Sequence, residues 1–246
     1  MSAISNPTLS ATVLRLLRER KPPHVSRNGS PHAYASEAGA CARQIGYRLE
    51  DSPCGTDGRE SSLPAQIAFA IGDHLHEFVQ RAFYELYPDA EFEKSWDLGY
   101  LSGRADVLYM RDGELTVAEI KSTAAGTFGK IVSSPYSHHL LQASISAVAM
   151  GAELAHIIYV NKSSRDDVPG LVEFVMPVDK YNIGVELNRL RNIVENVDNM
   201  RKLRASSEGL TDPTKNKYPC MYCQFRQRCL FEYMQEYGLT VAAALT

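Results

Sequence analysis

The most regular apolar and polar patterning lies between residues 65 and 121. From Ala65 to Tyr87, Ile67, Ile71, Leu75, Phe78, Ala82 and Leu86 recur at helical spacing and Pro88 ends the run. This predicts one long helix with those six positions inward. Ala90 to Tyr100 reads as a strand with Phe92 and Trp96 inward. Two apolar-rich runs then flank Asp112-Gly113, a strong two-residue hairpin signal. Counting outward from that turn pairs Arg111 with Glu114, Met110 with Leu115 and, carried on, Asp106 with Glu119. Alternation places Glu119 and Lys121 on one face. Val107, Leu108, Val117, Ala118 and Ile120 make the hairpin an inner element.

Beyond the hairpin, residues 122–134 are rich in Gly, Ser and Thr and read as a loop where a substrate backbone can approach. A helix opens at Ser134-Pro135 and runs to Met150, with Leu141, Ile145, Val148 and Ala149 as its stripe and Gln142 on it. Leu154–Val160 and Leu171–Met176 read as strands. Asp179–Leu203 reads as a long amphipathic helix with Leu187, Leu190, Val194 and Val197 inward and a basic far end. Upstream, Leu9–Arg20 is a short basic helix closed by Pro22-Pro23, and Ser36–Leu49 is helix-like, with a loop from 51 to 64. A polar loop spans 205–219, and a last short helix is expected over Leu230–Leu245.

Composition narrows the function class. The chain has 246 residues, 44% of them apolar, and a net charge of −3. That is enough for a sizeable core, with no global basic field to draw the protein to nucleic acid, so any such contact is local. No stretch qualifies as a signal peptide, and the most apolar window, Leu140–Val160, is broken by Gln142, Glu153 and His156. The expectation is a cytoplasmic protein with no membrane span. Five cysteines in such a chain favour metal or redox chemistry over disulfides.

Two constellations carry chemistry. Directly opposed carboxylates weaken a sheet, so a chain that pairs Asp106 with Glu119 calls for a neutralising partner. A hard divalent cation fits, with Lys121 beside it to polarise a water or a phosphate oxygen. Charges on a solvated hairpin with a weak salt bridge would look the same from spacing alone; the apolar setting favours function. The second constellation is Cys220, Cys223 and Cys229 in a C-x2-C-x5-C pattern preceded by Pro219. A tetrahedral Zn²⁺ or a [4Fe–4S] cluster needs a fourth ligand, for which Cys41 and Cys54 are the candidates; thiolates alone do not separate the two metals. Lys215, Lys217, Arg226 and Arg228 surround the trio and, with Arg43, are candidate DNA contacts. Tyr222 and Phe225 could stack on bases. Each has an equally good reading as surface or packing.

These parts together resemble a known family. Gly103–Asp106 followed by Glu119-Ile120-Lys121 resembles the PD-(D/E)XK signature of RecB-like nucleases. Gly72, four residues before His76, matches their histidine motif and leaves His74 without a role. Gln142 matches a Gln-x-x-x-Tyr motif, with Ser146 where the tyrosine is expected. Cys41-Ala42-Arg43 together with the C-terminal trio resembles the iron–sulfur branch, which includes CRISPR-associated RecB-like exonucleases and the nuclease domain of AddB-type helicase–nucleases. The resemblance spans about Ser36 to Leu230.

The resemblance implies an α/β restriction-endonuclease-like core, a mixed sheet flanked by helices. It divides the chain into an N-terminal segment (1–64), a nuclease core (65–205) and a C-terminal cysteine segment (206–246), the outer two joined at a cysteine-ligated cluster. It implies Mn²⁺ or Mg²⁺ on His76, Asp106, Glu119 and the Ile120 carbonyl, with Lys121 orienting water and Gln142 close by. It implies a structural [4Fe–4S] cluster on Cys41, Cys220, Cys223 and Cys229, with Cys54 in reserve and Zn²⁺ as the alternative. The implied activity is exonucleolytic hydrolysis of single-stranded DNA ends, by a CRISPR-associated protein or a phage relative. The alternatives are a DNA-binding adaptor in a spacer-acquisition or recombination complex, whose proteins would be its partners, and a structure-selective endonuclease.

Overall fold

The computed structural model describes residues 30–51, 63–162, 170–196 and 220–237. The predicted helix Leu9–Arg20, Cys54, Lys215, Lys217 and the far ends of the predicted helices Asp179–Leu203 and Leu230–Leu245 lie outside the described residues.

The hairpin is as counted. Asp112 has φ 50° and Gly113 φ 88°, the left-handed pair that a type I′ turn requires. Strands β3 (Leu101–Arg111) and β4 (Glu114–Thr123) pair antiparallel, with Arg111 opposite Glu114 and Met110 opposite Leu115. The ladder ends at Val107–Ala118, one step short of Asp106 and Glu119. Beyond that step β4 stays paired, in parallel, with β5 (Leu154–Asn161) as far as Thr123. β3 stays paired with β2 (Glu91–Asp97) as far as Ser102. A two-residue strand that periodicity does not predict, β1 (Ala33–Tyr34), runs parallel to Leu101–Ser102. Ser102 pairs with both β1 and β2, and Val107 with both β2 and β4. So β1 and β4 share one edge of β3, and residues 103–106 lie in the fork between them. β6 (Leu171–Pro177) pairs antiparallel with β5 and completes a mixed six-stranded sheet.

Helices cover both faces. On one, α2 (Leu63–Leu86) lays Val79 and Phe83 over Val107, Tyr109, Ala118, Ile120 and Ile158. On the other, α4 (Ser137–Ala149) packs on β4 and β5. α1 (Ala42–Asp51) and α5 (Lys180–Glu195) join it around Ile45, Leu49, Trp96 and Leu190. α6 (Arg226–Tyr237) lies against α1, where Phe225 and Cys229 pack on Tyr47.

Three sequence expectations are corrected. In α2 the buried positions are Val79 and Phe83, while Ile67, Ile71, Phe78 and Leu86 are exposed by 44% to 72%. The helix is apolar on most sides, so periodicity alone does not pick its face; the contact with β3 and β4 does. The stretch 122–134 is the end of β4 followed by a helix, α3 (Ala125–Ile131). Its Phe128 and Ile131 are wholly buried in a cluster with Ala155, Ile157 and Tyr159, so tertiary burial overrides the Gly-rich composition. The run from Ser36 to Leu49 is broken by Gly39 at φ 71°, and α1 starts after Cys41.

Two glycines of the family motifs have a packing reason. A Cβ on Gly103 would lie 2.4 Å from the Trp96 indole, and one on Gly72 3.2 Å from Ser122 Oγ. The first lets the ring seal the sheet behind the fork; the second lets α2 approach the end of β4. Gly103→Ala is expected to cost about 1–3 kcal/mol through overpacking. It should also shift the emission of Trp96, the only tryptophan. Unchanged melting and emission would show that the indole has room to move.

Candidate active site

The fork decides the geometry of the site. Where the β3–β4 ladder ends, Asp106 Oδ2 accepts the Ile120 N–H at 2.7 Å. A side-chain carboxylate thus holds a backbone donor at the point where the strands separate. Glu119, on the other arm, is 3% exposed. Its Oε1 accepts from Lys121 Nζ and Gln142 Nε2, both at 2.6 Å, and Lys121 Nζ donates to Gln142 Oε1 at 3.0 Å. This closed triangle joins β4 to α4 and fixes the ammonium. Glu119 Oε2 is buried and has no hydrogen-bond partner among the described residues.

His76 enters from the buried side of α2, its Nδ1 3.7 Å from Asp106 Oδ2. His74 points elsewhere, is largely exposed and lies near Glu77. The six expected site residues therefore come to one place, Ile120 through its main chain because its side chain is wholly buried. Ser146, one turn beyond Gln142, is buried and its hydroxyl has no described partner.

Electrostatics follow from burial. Desolvation raises the Asp106 carboxyl to about 6 against the pull of the Ile120 N–H. Desolvation and the Asp106 charge together raise Glu119 to about 7, although Lys121 opposes the shift. Burial holds His76 below the usual imidazole range, so it is neutral at pH 7. A neutral imidazole and two carboxylates that give up protons are what a metal site requires.

Sequence reasoning missed several neighbours. Gln80, one turn after His76, donates through Nε2 to Glu93 Oε1 at 2.7 Å and to the Asp106 carbonyl at 3.2 Å. Arg104 Nε lies 2.7 Å from Glu93 Oε2. His138 and His139, at the start of α4, are pulled down by burial and by the Lys121 charge, His139 to about 3, and His139 Nδ1 lies 2.8 Å from the Tyr159 hydroxyl. The available signals were spacings: Gln80 four residues from His76, His138 four from Gln142, Arg104 two from Asp106. A cleft of about 370 Å³ reaches the site between residues 34–36 and 102–104, and is also lined by Asp106, Glu119 and Gln142.

Along α1, Arg43 Nη1 is 3.5 Å from Cys229 Sγ, and Tyr47 donates to Glu232 at 2.5 Å. Arg228 pairs with Glu50, Asp51 and Glu232 and stacks over Tyr47. Burial and the neighbouring Cys41, Cys229 and Cys223 thiols raise Cys220 to about 11. Two of the DNA-contact expectations are corrected here. Arg43 is 4% exposed and turned to a sulfur, and the Arg228 charge is taken up by three carboxylates. Phe225 is buried against Tyr47 and is not available for stacking. Among the described residues, no three His, Cys, Asp or Glu side chains close on a single ion position.

The sequence pattern of the PD-(D/E)XK nuclease superfamily matches residues 21–230. The chain belongs to this superfamily. Its nucleases use divalent metal ions such as Mg²⁺ or Mn²⁺, and DNA is the substrate the fold implies. In chemistry, though not in closed geometry, the donor set suits such an ion: two buried carboxylates, one with an oxygen left without a partner among the described residues, and an imidazole that burial favours as neutral. The nuclease fold recurs in solved structures. A protein named SSO0001 superposes with a TM-score of 0.55 at 21% identity, over 90% of this chain and 96% of its own. An alkaline exonuclease from Laribacter hongkongensis, LHK-Exo, does so with a TM-score of 0.53 at 11% identity, over 69% and 89%. The same enzyme in complex with dAMP gives 0.51 at 13%, over 68% and 88%. No curated protein matches the chain in sequence.

The raised carboxyls make stability depend on pH. Protonation midpoints near 6 and 7 lie above the ordinary 3.8 and 4.5, so the folded protein holds protons that the unfolded chain releases. The resulting stability is fully present below about pH 4 and is lost as pH rises through about 7. In EDTA, wild type is expected to lose on the order of 2 kcal/mol relative to Glu119→Gln across that window. Mn²⁺ should restore it, raising the melting temperature more at pH 8 than at pH 5. Parallel pH profiles for the two proteins would mean that burial does not hold Glu119 protonated above its ordinary range.

Proposed function

We propose that the protein is a divalent-metal-dependent exonuclease of the RecB-like iron–sulfur branch, acting on single-stranded DNA ends, with His76, Asp106 and Glu119 holding Mn²⁺ or Mg²⁺. The observation that carries this reading is the unpartnered, buried Glu119 Oε2 beside Asp106. A carboxylate oxygen desolvated without a donor is costly unless a cation takes it. The name of the structurally similar LHK-Exo favours exonuclease over endonuclease.

When bound, the metal acidifies an attacking water and offsets charge on the phosphate. The side chains do the rest. Asp106 and Glu119 would hold the cation as carboxylates, so the protons that burial favours on them would pass to solvent. Gln142 and Glu119 hold Lys121 in one direction, so its ammonium meets the phosphate oxygen at little cost in reorganisation. His76, kept neutral by burial, ligates without first losing a proton.

The cysteines serve stability in this reading. Arg43 at Cys229 and the mutual influence of Cys41, Cys220, Cys223 and Cys229 support a cluster that ties α1 to the C-terminal segment. The Cys220 thiol, pushed up to about 11, would become a thiolate on binding iron or Zn²⁺, with iron the preferred metal. Closing a loop of this length is worth roughly 3–5 kcal/mol by analogy with disulfides. Cys223→Ala should therefore lose iron and sulfide and melt well below wild type; full stability with no iron in either protein would end the cluster reading.

The direct test is cleavage of end-labelled linear single-stranded DNA by anaerobically purified protein in Mn²⁺, Mg²⁺ or EDTA. Asp106→Ala and Lys121→Ala are expected to be slower by at least about 10²-fold, and the reaction should stop in EDTA. Equal cleavage of circular single strands would convert the reading to an endonuclease. DNA binding without cleavage would convert it to an adaptor, with recombination or CRISPR-adaptation proteins as its partners.

A further inference from the structure

We propose that the cleft beside the carboxylates takes one nucleotide of the substrate strand next to the scissile phosphate, that Arg104 grips that nucleotide's phosphate, and that Glu93 is the positioning residue behind Arg104. The inference rests on the nuclease reading above and adds a substrate contact that the PD-(D/E)XK signature does not include.

The cleft comes from the fork. β1 and β4 leave residues 103–106 of β3 without a ladder partner on that edge among the described strands. The opening has about 370 Å³ and is walled by small residues, Ala35, Ser36, Ser102 and Gly103. That volume is at the small end of the range for ligand sites, enough for one nucleotide and too little for a base pair. Because Asp106, Glu119 and Gln142 line the same cleft, a nucleotide in it adjoins the bond to be cut.

Two buried carboxylates make this a poor place for a phosphate unless positive charge accompanies it. Lys121, held by Glu119 and Gln142, serves the scissile phosphate, so the neighbouring phosphate calls for a second cation. Arg104, two residues before Asp106, lines the same cleft, and its side chain is 46% exposed. Its short contact with Glu93 is made by Nε. The far end of the guanidinium fork is the part suited to a bidentate hold on phosphate.

Glu93 has an unusual placement for this task. It has φ 53°, in the left-handed region, within a strand and at the register position opposite Asp106. A non-glycine residue there costs backbone energy and persists only where its surroundings hold it. Gln80 holds it, and the same amide nitrogen reaches the Asp106 carbonyl. A half-exposed ion pair returns little stability for that strain. What the arrangement does is tie Arg104 to the same frame as Asp106 and His76, so that the phosphate contact and the cleavage site keep a set spacing.

The test separates binding from cleavage. Titrate a deoxynucleoside monophosphate into wild type, Arg104→Ala, Arg104→Lys and Glu93→Gln in Mn²⁺. In parallel, measure binding of a labelled single strand in EDTA against salt. Arg104→Ala should weaken mononucleotide binding at least tenfold and reduce the slope of log K against log salt by about 0.7, with melting unchanged. Arg104→Lys should restore the slope but not the mononucleotide affinity, because a point charge lacks the fork; it also carries the test if the alanine variant fails to fold. Glu93→Gln should weaken mononucleotide binding severalfold while keeping the slope. Absence of saturable mononucleotide binding by wild type, or unchanged affinity and slope in Arg104→Ala, would overturn the proposal. These readouts need no cleavage, so a wild type that binds but does not cut would sink the nuclease reading and leave this one to its own result.

Discussion

Two carboxylates buried side by side, at the point where two strands of a hairpin part, are the constraint on which this structure depends. Asp106 and Glu119 would face each other across a continued ladder, and their repulsion would weaken it. Instead the ladder ends one step earlier and Asp106 takes the Ile120 N–H that a strand partner would have taken. The separation is stable because each arm has another neighbour. β5 supports β4 to Thr123, while β2 and β1 support β3 down to Leu101. Among the described strands, the edge of β3 that carries β1 and β4 is left open at the site.

The surrounding packing keeps that opening while filling everything around it. The Trp96 indole presses on Gly103 behind the fork, and α2 comes close to β4 over Gly72 to bring in His76. On the opposite face, α4 delivers Gln142 to the Glu119–Lys121 pair. The fork thus joins elements distant in sequence, and the ionisable groups in it are shifted mainly by loss of water. A divalent cation is the natural complement to such a site, and the superfamily to which the chain belongs uses one.

Along α1, a different set of contacts brings the start and end of the described chain together. Tyr47, Glu50 and Asp51 meet Arg228 and Glu232, and Arg43 meets Cys229. Here basic residues that look like DNA contacts in the sequence are used for internal ties. A charge in a sequence does not reveal whether it faces water or a carboxylate 180 residues away.

The sequence by itself determined what depends on near neighbours. The Asp112-Gly113 turn set the register, the register set the parity, and parity put Glu119 and Lys121 on one face. The motif spacings at His76 and Gln142 were legible in the same way. Only the tertiary structure decided the rest. It chose Val79 and Phe83 as the buried face of a helix with apolar residues on several sides, turned a Gly-rich loop into α3, and added β1 as the second wall of the cleft. It also placed Gln80, Glu93 and Arg104 around Asp106. The physical reason is range. Turn geometry and alternation act over a few residues, whereas a face is buried, a strand is paired or a charge is compensated only when distant parts of the chain meet.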